Sequence, residues 1–151
     1  MKIKDRHAKE SSFSRALLAG IICGIASAAL VVIYASVYRN MTGFRGMGFI
    51  EPSIIFVGCP LVMVLAAFIF LGMVEVWKNG EVIFVLAALV LTAGAIVSEF
   101  FFLPGRATTS AFGLLLGAEL IAGLIMAFLL PFLGTHPKIF MDREELLESA
   151  Q

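Results

Sequence analysis

Glu119 is the residue whose setting most needs a chemical explanation. It falls near the middle of an apolar run from Ser110 to Leu133, where an ionised carboxylate costs about 2.5–3.5 kcal/mol on insertion scales. It is therefore expected to face protein or a polar cavity and not lipid. Glu99 stands about one turn from the end of the preceding apolar run, with Thr92 and Ala95 on its helical face. Gly123, one turn beyond Glu119, leaves room beside that carboxylate, and Arg106 lies in the intervening turn within reach of Glu99. Glu119, Glu99 and Arg106 thus make up the expected intramembrane polar site. Two readings fit it: a proton-sensitive cavity, or a polar latch that fixes helix packing, with a Glu99–Arg106 clamp near the interface.

Other reactive side chains are sparse. His7 and His136 both lie outside the apolar runs, so the chain offers no imidazole pair at membrane depth for a haem and no buried zinc cluster. Ser27, Ser98 and Ser110 have no histidine at that depth to act as base, and Asp5 and Asp142 fall in the terminal segments. Cys23 and Cys59 differ in depth by about 15 Å on helical geometry, too far for a disulfide, whose Cα atoms lie within about 7 Å. The segment Gly43-Phe44-Arg45-Gly46-Met47-Gly48 lacks the spacing of a phosphate-binding loop. No cofactor or metal is expected. Enzymatic activity stays open but disfavoured, its one form being a lipid-modifying enzyme with Glu99 and Glu119 as acid and base.

The elements that position these residues follow from composition. Hydrophobic residues make up 60% of the 151 and charged residues 15%, and mean hydropathy is +1.00. That is far too apolar for a water-soluble fold of this size. Four blocks, Arg15 to Tyr38, Pro52 to Val76, Val82 to Leu103 and Ser110 to Leu133, are each long enough to cross a hydrocarbon core of about 30 Å. The expected fold is an all-α integral membrane protein with four transmembrane helices in a compact antiparallel bundle. Its domains divide as 1–14, an N-terminal segment; 15–133, the membrane domain; and 134–151, a tail in which Asp142 and Glu145 have capping-box spacing for a short interfacial helix. A cleavable signal peptide is the competing reading of the first block, but its apolar stretch exceeds the roughly 7–15 residues of a signal core.

Within the blocks, Gly20 and Gly24, and likewise Gly113 and Gly117, form small-residue strips suited to close helix packing inside the chain or with another subunit. Pro60 cannot donate to the carbonyl of Phe56, so the second helix is expected to kink there. Basic residues set orientation. With the N-terminus inside, the cytoplasmic side collects Lys2, Lys4, Arg6, Lys9, Arg15, Lys78, Lys138 and Arg143, leaving Arg39, Arg45 and Arg106 outside. Both termini are then cytoplasmic, in a cell or plasma membrane.

With 11 basic and 11 acidic residues, the chain shows nothing suited to nucleic acid. Its expected partners are membrane lipids and other membrane subunits or further copies of itself. The functional expectation is a noncatalytic accessory, assembly or stabilising subunit of a larger membrane complex. The alternative is a small oligomeric proton- or cation-coupled transporter or channel subunit that uses Glu119.

Overall fold

The computed structural model describes the backbone of residues 2–43, 52–102 and 109–136, and side chains within 13–43, 52–98, 101 and 110–136. The expected terminal-tail helix, the clamp partner Arg106, and most of the Gly-rich connector with Arg45 and Glu51 lie outside the described residues, as does the side chain of Glu99.

All regular structure among the described residues is helical: α1 (Lys2–Thr42), α2 (Pro52–Val76), α3 (Gly80–Phe102), α4 (Thr109–Leu124), a π-helical segment (Ile125–Leu129) and α5 (Leu130–Thr135). Four stretches are long and apolar enough to cross a membrane: Phe13–Thr42, Pro52–Val76, Gly80–Ser98 and Ser110–Thr135. The chain is therefore an all-helical, multi-pass membrane protein by length and composition.

Where helices stop is decided by local chemistry and not by hydropathy. The first extends past Tyr38 through polar Arg39, Asn40 and Thr42, because nothing there opposes helical dihedrals. It ends at Gly43, which takes φ 68°, a left-handed conformation that costs glycine nothing. The Gly43 amide donates to the Arg39 carbonyl at 2.9 Å and closes the helix. Between α2 and α3 the chain turns within Trp77, Lys78 and Asn79, fastened by Trp77 N–H to Met73 O at 2.9 Å and Gly80 N–H to Trp77 O at 3.0 Å. Gly80 then presses on the backbone of Met73 and Val74, leaving no room for a Cβ.

Packing is uneven. In the most apolar stretch of α1, 44% of residues are buried, against 17% in α3, so α1 is central and α3 peripheral. Gly20 meets Val64 and Gly24 meets Pro60, so contacts advance along α1 as they retreat along α2. Backbone lies on backbone here. Phe13 stacks on Phe68 (centroids 4.9 Å apart) at one end of this pair, and Phe70 meets Phe84 edge-on (5.1 Å), joining α2 to α3. Two apolar clusters result. One gathers Cys23, Met63, Phe70, Phe84, Ala127 and Leu130, the other Ala28, Val31, Ala35, Ile55 and Leu114.

α2 stays helical through Pro60. In the fourth span the helix widens by a π segment just before Pro131, whose missing amide hydrogen would otherwise break an α-helical bond to Ala127. The extra residue shifts the inward face. Five straight turns hold about 18 residues and would place Phe132 beneath buried Leu114; instead Phe132 is 51% exposed and Leu133 only 9%.

Candidate polar site between the second, third and fourth helices

The rotation of α4 determines what Glu119 faces. On the α1 side, the Tyr34 hydroxyl donates to the Gly113 carbonyl at 2.6 Å. The Tyr38 side chain lies against Gly113 and the Tyr34 ring against Gly117, where only the absence of a Cβ leaves room. Two residues along a helix turn the side-chain direction by about 200°, so Glu119 points away from α1. It lines a cavity of about 240 Å³ enclosed by Val62 and Met63 of α2, Leu91, Thr92 and Ala95 of α3, and Ala122, Gly123 and Met126 of the fourth span.

Glu119 Oε2 is buried and has no hydrogen-bond partner among the described residues. The one hydroxyl side chain lining this cavity belongs to Thr92, and its proton is already committed to Ala88 O at 2.8 Å. The space that Gly123 leaves is taken by that same side chain, because a Cβ at Gly123 would fall 2.9 Å from Thr92 Cβ. A second cavity of about 230 Å³ shares Val62, Met63 and Ala122 and continues along α2 past Ile55, Gly58 and Cys59. Together they form a crevice with apolar walls and a carboxyl group at one end. Its lips are Val62 and Leu91, 53% and 68% exposed, so it opens sideways, toward whatever surrounds the bundle.

Of the three residues expected to share a polar site, only Glu119 has a described side chain. Glu99 belongs to α3 one turn beyond Ala95, which does line the Glu119 cavity. Arg106 lies outside the described residues. The packing glycines divide by neighbour: Gly20 and Gly24 lie against the α2 backbone, Gly113 and Gly117 against tyrosine side chains. Cys23 and Cys59 are free thiols, the first buried and the second half-buried. No group of three potential metal-ligating His, Cys, Asp or Glu residues occurs among the described residues.

Three features escaped the sequence reading. The Tyr34–Gly113 hydrogen bond was signalled by two tyrosines one turn apart inside or at the edge of an apolar run. The π segment was signalled by Pro131, which lies so near the end of the fourth block that it reads as a terminus. The burial of Ser27 agrees with its place one turn beyond Gly24 on the small-residue strip, whereas its Oγ without a hydrogen-bond partner among the described residues carried no signal in the sequence. Comparison of the chain with protein-family models, curated proteins and solved structures yields no match.

Proposed function

We propose that the chain is a noncatalytic assembly or stabilising subunit of a larger membrane complex, and that its lateral crevice receives a transmembrane segment of another subunit. The observation that carries this reading is the buried, unpartnered Glu119 oxygen at the end of an apolar crevice. Within a bilayer an unsatisfied polar group costs several kcal/mol. A hydroxyl, amide or basic side chain on an entering helix removes that cost, while the apolar walls supply packing area. The exposed apolar side chains of α3, among them Val82, Leu86 and Val90, extend the same surface.

In this reading the helices form a compact antiparallel bundle, α2 bends at Pro60, and both ends face the cytoplasm of a cell or plasma membrane. The support for the orientation is the excess of Lys and Arg at the two ends and in the α2–α3 turn. The partner is a separate subunit or a further copy of this chain.

The test compares E119Q with E119L in protein purified in mild detergent, with mass analysis of whatever co-purifies. Gln keeps the size and hydrogen-bonding capacity of the acid, so E119Q should retain the partner. Leu removes that capacity, and recovery should fall about tenfold, the effect of losing about 1.4 kcal/mol. Equal recovery of a partner by both variants would remove the crevice from assembly.

A second reading has its own observation: the π segment begins one residue past Leu124, close to Glu119, and such segments recur at functional sites. There Glu119 exchanges a proton or cation in an oligomeric transporter or channel. E119Q protein should then assemble normally yet lose ion or proton-coupled flux in proteoliposomes. Flux that survives E119Q with its pH dependence unchanged excludes Glu119 as the coupling group.

A further inference from the structure

At the opposite end of the bundle from Tyr38, where the α2–α3 turn lies, is a separate cavity of about 320 Å³ between α1, α2 and α5. Its walls include Ala16, Ala19 and Ala67, small side chains that leave the volume open, and its mouth carries Arg15, Glu75 and Thr135. The volume is at the lower end of the roughly 300–1,000 Å³ typical of small-molecule sites. It suits a short length of hydrocarbon and not a whole amphiphile.

Its position defines what can enter. Arg15 lies near the start of the first span and Glu75 one residue before the end of α2. Beside Glu75, Trp77 is exposed, as expected of an indole at the head-group level. A molecule seated here therefore has its tail among alanines and its polar end at the interface between one cation and one anion. Thr135 spends its hydroxyl proton on Pro131 O at 2.9 Å and leaves lone pairs to accept. Arg15 has a partner within the chain, and its guanidinium is a planar fork of five N–H donors suited to phosphate. Glu75 takes part in no ion pair among the described residues.

We propose that this cavity is a binding site for one zwitterionic phospholipid with a primary-amine head group, its phosphate on Arg15, its ammonium on Glu75 and the first part of an acyl chain between α1, α2 and α5. Charge complementarity selects among the lipids of the leaflet. An anionic glycerol head group meets the Glu75 carboxylate with no cation to offer. A choline head group has the positive charge but no N–H to donate. An ethanolamine head group satisfies both side chains at once. The site is independent of the Glu119 crevice and of which leaflet this end occupies.

The test uses the full-length chain in mild detergent and native mass spectrometry, titrated with phosphatidylethanolamine, phosphatidylcholine or phosphatidylglycerol of matched chains. Wild type should carry one ethanolamine lipid with about tenfold preference over choline, the effect of one charge-assisted hydrogen bond. E75A, at an exposed position, removes both the charge and the acceptor oxygens and should erase that preference, and R15Q should weaken both zwitterionic lipids. Glycerophosphoethanolamine, the same head group without chains, should fail to compete, which separates a lipid site from a site for free phosphoamine. A wild-type protein that binds the three lipids equally, or an ethanolamine preference that survives E75A, overturns the proposal. Effective competition by the chainless head group overturns the acyl-chain part of it.

Discussion

Tyr34 of α1 lies against one side of α4 and Glu119 projects from the other, and the first governs what the second sees. The Tyr34 hydroxyl bond to Gly113 and the ring contact with Gly117 hold α4 in one rotation. Y34F removes only the hydroxyl, and Gly113 O keeps its place in the helical ladder. The expected loss is about 0.6 kcal/mol, the average for such bonds between membrane helices. G117L drives a branched side chain into the Tyr34 ring and should cost about 1–3 kcal/mol. Unfolding in graded denaturing detergent checks the order; Y34F as damaging as G117L would mean that the hydroxyl, and not ring packing, fixes the rotation. Glu119 could be singled out from sequence because one acid in an apolar run is conspicuous. Its surroundings could not be, since they depend on a rotation set by aromatic contacts with a helix some 80 residues away in sequence.

At the scale of the element, the helices were readable because hydrocarbon thickness imposes a minimum apolar length, and Pro52–Val76 emerges with the boundaries expected from that rule. Ends set by backbone chemistry were less readable, as the continuation of α1 to Thr42 illustrates. The glycines give a graded prediction. At Gly24 an added Cβ meets the Cα of Pro60, and at Gly20 it lies 2.8 Å from the Cα of Val64. Backbone cannot swing aside, so G24A should destabilise by about 1–3 kcal/mol. At Gly58 and Gly94 an added Cβ meets nothing within 4 Å, and alanine there should be neutral or stabilising by up to about 1 kcal/mol through helix propensity. Thermal unfolding of the three variants in one detergent decides the matter. G24A as stable as G94A would show that α1 and α2 are not in backbone contact.

For the molecule as a whole, the four spans place the end of α1 and the α2–α3 turn on opposite membrane faces. In a background with Cys23 and Cys59 replaced by alanine, N40C and K78C should react with an impermeant thiol reagent from opposite sides of sealed vesicles, with K78C on the cytoplasmic side. Labelling of both from one side would break the four-span arrangement; reversed labelling would invert only the orientation. The π segment bears on how the two ends of the bundle relate. It acts as a phase adjuster: one supernumerary residue sets the azimuth of Leu130, Gly134 and Thr135, which line the Arg15 cavity, relative to Glu119 above. Deleting Phe128, which is exposed, should let the helix run without the bulge and leave the residues beyond it on the faces they hold now, because the present Leu133 then lies five straight turns from Leu114. The Arg15 cavity should keep its α5 wall of Leu130, Gly134 and Thr135, whereas deleting one residue from the regular α-helix before the bulge would turn one part of the span against the other by about 100°. The surplus residue is thus a reserve of length, and a scan of single-codon deletions through the fourth span should find its mildest effects between Ile125 and Leu129.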